Sequence, residues 1–298
     1  MANRVADISP TASRRFATWL HARPGVQLRL LLAAPWFWMV VVYLVSLGIL
    51  LLNAFWENDP FSGQVIPFSW TLDAFETIFT VEVYRTIALR TVSIAVLVTL
   101  TDIALGFPIA YYMARVASPA TRRLVLVAVL MPLWASYLVK IYAWRTILIP
   151  NGVLDSVLAP VGLETLGLSE VAGSWLVLSY LWLPYMILPI YAGLERIPTS
   201  LLEASSDLGA RSARTFWKVV LPLALPAVVA GSIFTFSLSL GDYITPDLVS
   251  DTKFIGNVIY DNSALGSLPV AAAYSLLPIG IMIVYLLIAR RLGAFASL

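Results

Sequence analysis

Long apolar runs alternate with short polar ones along almost the whole chain. A helix that crosses a bilayer needs about 20 mostly apolar residues. Six stretches meet that length: Leu30–Leu52, Thr86–Met113, Leu124–Trp144, Ala172–Leu194, one starting at Pro222–Pro226 and ending near Pro246, and Leu268–Ala289. The pattern predicts an all-α, polytopic membrane protein with six transmembrane helices. Pro108, Pro132, Pro184, Pro189 and Pro278 fall inside the spans. Each removes a backbone donor and predicts a kink or local unwinding that neighbouring helices satisfy. Packing geometry and a gating hinge are both open readings of these prolines.

The polar runs give the spans a direction. Arg4, Arg14, Arg15, Arg23 and Arg29 precede span one; Arg115, Arg122 and Arg123 lie between spans two and three. Arg196, Arg211, Arg214 and Lys218 lie between spans four and five, and Arg290 and Arg291 follow span six. Fourteen of the 19 Lys and Arg residues thus fall on one side. The alternate loops are mostly acidic, with Glu57, Asp59, Asp73, Glu76, Glu82, Asp155, Glu164, Glu170, Asp247, Asp251 and Asp261. The positive-inside rule makes the basic side cytoplasmic, with both termini on it. Residues 1–29 form a basic tail without the short apolar core and small-residue cleavage site of a signal peptide. Residues 30–298 form the membrane domain. On the acidic side, Ser69–Phe79 predicts a short amphipathic helix and Asn151–Gly167 a second interfacial element. Trp36, Trp38, Tyr111, Tyr112, Tyr142 and Trp144, near span ends, suit an aromatic belt.

Composition agrees and narrows the chemistry. Hydrophobic residues make up 60% and charged residues 12% of the 298, against about 25% charged in soluble domains. Mean hydropathy is +0.86. A net charge of +2 spread over several loops argues against a nucleic-acid surface. The chain has no Cys, and its single His, His21, sits in the polar tail. Most nucleophile–base pairs therefore cannot be built. No phosphate-cradling G-x-x-x-x-G-K-[ST], zinc-binding H-E-x-x-H or G-x-S-x-G elbow is present. The chain is expected not to be an enzyme and to carry no cofactor.

The longest polar segment after the tail is Glu195–Pro222. Thr199 or Ser200 is positioned to cap a helical run over TSLLEASSDL, in which Leu201, Leu202, Ser205 and Leu208 share one face. Gly209 ends that run. Arg211–Val220 is a second run, with Ser212 as its cap and Phe216, Val219 and Val220 as its apolar side. The predicted product is helix–Gly turn–helix outside the bilayer. A docking surface and an amphipathic connector resting on headgroups are equally compatible with it.

The spacing of this segment resembles the EAA loop of ABC importer permeases: Glu203, Ala204, Gly209, Val219, Leu221 and Pro222 match, and Ser205 stands for the second Ala. Three more stretches are similar to the same family. They are Gly106–Arg115 (GFPIAYYMAR), Met131–Trp144 (MPLWASYLVKIYAW, with Lys140 for the usual Arg) and Leu240–Pro246 (LGDYITP) followed by Ile255–Asn257 (IGN). The resemblance runs from about Thr71 to the C-terminus and points to the first-permease type of the spermidine/putrescine branch. It implies the type I importer permease fold in a bacterial inner membrane. It also implies a coupling loop in which Glu203, Ala204, Asp207 and Gly209 face a partner ATPase dimer, where ATP and Mg²⁺ would bind. A second homologous permease and an external solute-binding protein complete the implied assembly.

Charged groups inside a membrane are functional candidates. Asp102 lies in span two and Asp242 towards the acidic end of span five, beside Tyr243; Trp134, Tyr137, Trp182 and Tyr185 are on facing spans. Carboxylates with aromatic faces suit an organic cation such as a polyamine. An inter-helix hydrogen bond or a helix cap is the bland alternative for either acid, and Lys140 is a candidate to neutralise one. A permease of the same family for another small organic solute, a secondary transporter and a membrane scaffold are the rival readings. The secondary transporter would need charge relays across several spans, where only Asp102, Asp242 and Lys140 are on offer.

Overall fold

The computed structural model describes residues 23–59, 64–149, 152–158, 160, 170–250 and 252–293. His21, Arg4, Arg14, Arg15, Glu164, Asp251 and most of the Asn151–Gly167 element lie outside the described residues. The chain divides into two compact units, one ending at Leu52 and one from Asn53 onward. In the first, α1 (Pro24–Phe37) continues through a π-helical stretch, Trp38–Val45, into α2 (Ser46–Leu52). Pro35 lies inside α1, one turn before the wide stretch, a pairing expected where a proline leaves a carbonyl without its donor.

The second unit opens with a two-residue hairpin pair, β1 (Glu57–Asn58) and β2 (Val65–Ile66), paired antiparallel with Glu57 opposite Ile66. Helix α3 (Asp73–Thr80) follows, with Asp73 and Glu76 in its first turn, where the helix dipole favours acids. It overlaps the Ser69–Phe79 prediction, ending one residue beyond it, and buries Ala74 and Ile78. Then come α4 (Glu82–Tyr111), α5 (Pro119–Trp134), α6 (Tyr137–Leu148), α7 (Val153–Leu158) and α8 (Glu170–Glu195). The chain continues as α9 (Thr199–Asp207), α10 (Ser212–Thr215), α11 (Leu221–Gly241), α12 (Ile244–Val249), α13 (Ile255–Ala264) and α14 (Leu268–Arg291). Among the described residues five helices are long and apolar enough to cross a membrane, or six when one bent pair counts as a span.

That bent pair corrects the third predicted span. It is not one helix over Leu124–Trp144. α5 stops at Trp134, Ala135 and Ser136 turn extended (ψ 142° and 139°), and α6 leaves at 95°. The fifth span is corrected as well. α11 ends at Gly241, not near Pro246, because Asp242 is extended (φ −72°, ψ 131°) and Pro246 belongs to the short α12.

Spans two, four and five (α4, α8 and α11) pack around Met186, which is fully buried. A Cβ on Gly106 would lie 3.2 Å from the Met186 Cγ, and one on Gly231 would lie 3.0 Å from its sulfur and 3.2 Å from its carbonyl oxygen. Between membrane helices there is little hydrophobic driving force, so such close approach by small residues supplies the packing energy. Phe107, Ala110 and Met113 join Ile187, Ile190, Leu194, Ala224 and Val228 in the same cluster. α14 closes a second cluster with α3 and α4, where the Tyr274 hydroxyl donates to Tyr84 O at 2.7 Å.

The tightest crossing is at Gly193, whose added Cβ would stand 2.3 Å from the Ala227 Cβ. Gly280 has nothing within 4 Å of such an atom. Gly193→Ala is expected to lower stability by about 1–3 kcal/mol through overpacking. Gly280→Ala should be neutral or gain up to about 1 kcal/mol from the stiffer helix. Thermal unfolding of the two variants in detergent checks the contrast.

Candidate functional site

The Glu195–Pro222 segment folds as two short helices around a fixed glycine. α9 ends in a Schellman turn: Ala210 N donates to Ser205 O at 3.1 Å and Gly209 N to Ser206 O at 2.8 Å. This closure needs a left-handed residue past the helix end, and Gly209 has φ +74°. The Ser205 and Thr215 hydroxyls are 2.8 Å apart and tie the helices together. Phe216 sets its ring edge-on against Phe107 and Tyr111 of span two, at 5.6 and 5.9 Å. Glu203, Ala204, Asp207 and Gly209 are all exposed on one small surface.

Three local expectations are corrected here. The residue before α9 is Pro198, in place of a Thr199 or Ser200 cap, and the residue before α10 is Arg211, not Ser212; neither helix has a side-chain cap. Extended backbone at Pro198 and Arg211 sets both helix starts one residue earlier than the hydroxyls require. The second run is α-helical only over Ser212–Thr215 and π-helical over Phe216–Val220, just before Pro222. On the supposed apolar face, Leu202 and Ser205 turn inward, whereas Leu201 is exposed and Leu208 is 89% exposed. An exposed leucine beside the fixed glycine is a residue that helical spacing alone assigned to the wrong side.

At the acidic end of span five a second site forms where α11 breaks. Asp242 Oδ1 accepts from Ile244 N at 2.9 Å and Thr245 N at 3.1 Å. Its Oδ2 accepts from the Thr245 hydroxyl at 2.8 Å and from the Tyr137 hydroxyl. The carboxylate thus satisfies two of the free donors at the start of α12. The bend between α5 and α6 places Tyr137 there. Tyr137 also stacks on Trp182 (5.9 Å, 19° between rings), and Trp182 meets Tyr185 edge-on at 5.9 Å. Tyr137, Trp182, Asp242, Tyr243 and Ile244 line a cleft of about 290 Å³. Lys140 makes no ion pair among the described residues.

The other sequence candidates are placed elsewhere. Trp134 is 78% exposed at the end of α5 and is not among the residues of the cleft. Asp102 is fully buried. It lies one turn along span two from Gly106, on the level of Trp182 and Thr235 as fixed by the Met186 contacts. Neither Asp102 oxygen has a hydrogen-bond partner among the described residues, and nor do the hydroxyls of Ser179, Thr235 and Ser239.

The Ile255–Gly256–Asn257 motif supports the cleft from behind. A Cβ on Gly256 would lie 2.9 Å from the Tyr243 Cβ and 3.1 Å from Gly241 O. Asn257 donates to Tyr243 O at 2.7 Å and accepts from Phe254 N at 3.0 Å. Tyr243 stacks on Tyr260 at 5.1 Å. Outside the spans, Lys253 bridges Asp247 and Asp261 at 3.1 and 3.2 Å, and the hydrogen bond to Asp247 raises its pKa above the usual lysine value. Thr245, Gly256, Asn257 and Tyr260 were not singled out as site residues. The nearness of G-D-Y and I-G-N in sequence was the available signal.

The family model for the inner membrane component of binding-protein-dependent transport systems matches residues 103–295. The inner membrane ABC transporter permease protein YdcU of Escherichia coli (strain K12) is 46% identical, covering 92% of each chain. The spermidine/putrescine transport system permease protein PotB of Haemophilus influenzae is 29% identical, covering 74% of this chain and 78% of its own. A bacterial alginate ABC transporter, solved in complex with an alginate pentasaccharide-bound periplasmic protein, contains a chain of the same fold (TM-score 0.71, 18% identity, 94% of this chain and 97% of that one). The chain therefore belongs to the inner membrane components of binding-protein-dependent transport systems, the non-catalytic permease subunits of ABC importers with the type I fold.

Proposed function

We propose that this chain forms half of the translocation path of an ATP-driven importer and that the Glu195–Pro222 loop is where a cytoplasmic ATPase engages it. The observation that carries this reading is the tied helix–Gly–helix unit, which presents Glu203, Ala204, Asp207, Leu208 and Gly209 outward. The charge asymmetry of the loops supports a cytoplasmic placement for this surface and for both termini. A second homologous permease completes the path, an ATPase dimer docks below, and an external solute-binding protein delivers the cargo. Cytoplasmic ATP hydrolysis thereby drives a chain that has no phosphate loop of its own.

The cargo in this reading is a small organic cation, a polyamine of the spermidine/putrescine class. The PotB relatives support it, as does a cleft in which Tyr137, Trp182 and Tyr243 surround Asp242. An aromatic face contributes about 0.5–2 kcal/mol to holding a cation. That suffices for a path which has only to pass on a solute already captured outside.

A Cβ at Gly209 would meet nothing within 4 Å, so a side chain there strains only the backbone, by roughly 1–2 kcal/mol. Gly209→Asp is expected to leave membrane insertion intact and to cut uptake about tenfold or more, by analogy with removal of a buried contact at an interface. Leu208→Ser should weaken ATPase co-purification with no loss of thermal stability. Normal uptake by Gly209→Asp would remove the docking argument. Asp242→Asn keeps an acceptor for the α12 donors but loses the charge. Spermidine uptake by reconstituted transporter should drop about tenfold in that variant and stay near the parent level in Asp102→Asn; the reverse order would assign the path to Asp102. Because the chain lacks cysteine, Ser206→Cys can be labelled alone. An impermeant maleimide should reach it in inside-out vesicles and not in right-side-out ones.

A further inference from the structure

The last turn of span four leads into the proposed docking loop through only Arg196, Ile197 and Pro198. It is gripped from the π-helical turn Tyr112–Val116, which continues α4 so that span two runs on to Val116. Arg115 Nη2 donates to Leu194 O at 2.5 Å and to Ile197 O at 2.7 Å. Leu194 O lies in the last turn of α8, where oxygens lack helical donors and the dipole favours a cation, and Ile197 O lies in the connection just beyond it. A second arginine reinforces the same turn. Arg122, at the start of span three, donates through Nε to Met113 O at 3.0 Å and through Nη1 to Glu195 Oε1 at 3.2 Å. The Tyr191 hydroxyl donates to the same Glu195 oxygen at 3.0 Å. At the far end of the loop, Phe216 seats on Phe107 and Tyr111, again on span two. The loop is thus fastened at its start and at its finish to the basic end of one helix.

We infer that Arg115 is a positioning residue for energy coupling: it locks the docking loop to span two, so that a push on the loop moves span two as part of the same rigid body. The inference rests on the docking reading above. It separates two functions that the loop alone would merge, holding the ATPase and transmitting its movement. The exposed face of α9 does the first and touches none of the Arg115 contacts. Arg115 does the second and is not on the docking face. A guanidinium suits the task because the two in-plane N–H bonds of Nη2 point at two carbonyls in fixed directions, whereas an ammonium acts as a point charge. The Arg122–Glu195 pair is part-exposed, so it is the weaker member of the clamp.

The test uses the complete transporter in proteoliposomes with ATP and vanadate as the trapping probe. Spin labels at Ser206→Cys on α9 and Leu100→Cys on the exposed face of span two report whether the loop and the span move together. In the parent chain, trapping should leave the distance between labels unchanged. In Arg115→Ala the ATPase should still co-purify, but the distance distribution should shift on trapping, and stimulation of ATP hydrolysis by the binding protein should fall about tenfold, within the usual range of coupling between sites. Arg115→Lys should recover part of both readouts, because one carbonyl regains a donor. If Arg115→Ala reduces the amount of protein in the membrane, Glu195→Gln, which removes the charge paired with Arg122 and keeps an acceptor, should show the same effects at smaller size. A parent that retains its ATPase, with variants that keep a fixed distance and full stimulation, overturns the inference alone. A parent chain that never retains the ATPase overturns the docking reading, and the inference with it.

Discussion

A helix that stops within or at the edge of a bilayer leaves backbone donors and acceptors that lipid cannot satisfy, each costing several kcal/mol if left bare. The breaks in this fold follow from how that demand is met. At Gly241 the answer is the Asp242 carboxylate, which takes two free donors of α12, Ile244 N and Thr245 N, and two hydroxyls. At the start of α13 the Thr91 hydroxyl of span two accepts from Ile255 N at 3.0 Å, and Asn257 takes Phe254 N. At the end of span four Arg115 supplies donors to two carbonyls. Every one of these side chains then fixes a second element in place, so the places where helices end are also the places where the spans are joined.

Between those joints the spans are held by shape. Gly106 and Gly231 let spans two and five close on Met186, and Gly193 lets span five meet span four. Helices packed this closely cannot slide without opening a gap or a clash. Motion delivered at one end is accordingly more easily passed along the group than absorbed in it. The proposed coupling through Arg115 depends on that stiffness: a clamp at the end of a pliant bundle would move only its own turn.

Much of this was legible from hydropathy, because a window sum needs only composition. Glu82–Val116, Val171–Glu195 and Leu268–Arg291 appear where the apolar runs placed them. The bend at Ala135–Ser136 was not legible, since both residues are small, neither interrupts the run, and a window sum carries no direction. Gly209 was legible as a turn because its conformation follows from a local backbone need. Leu208 was not, because periodicity says which residues share a face and not which face meets the core. Tyr137 and Asp242 were both singled out, but their union spans 105 positions and is made by the bend that the sequence concealed. Trp134, three positions before Tyr137, ends on the other arm of that bend and stays exposed.

The two intramembrane acids show why residue type alone could not rank them. Asp242 keeps its carboxylate surrounded by four donors at the rim of a cleft. Its charge is stabilised by the chain itself, so a passing cation would not have to replace those donors. It would meet the faces of Tyr137, Trp182 and Tyr243 with a fixed anion behind them, an arrangement that attracts without holding tightly. Asp102 is sealed among three spans with no partner among the described residues. Nearby Thr99 and Ser232 turn their hydroxyls back onto their own helices, whereas Ser179, Thr235 and Ser239 do not. A cation drawn to Asp102 would have to part the packing around Met186 to reach it. A gap the size of one large side chain in a packed core costs about 2–5 kcal/mol, a cost that the cleft already present beside Asp242 does not carry. On this physical ground Asp242, itself buried but set at the rim of a cleft, is the acid that the proposed path favours, and Asp102 stands with the packed wall.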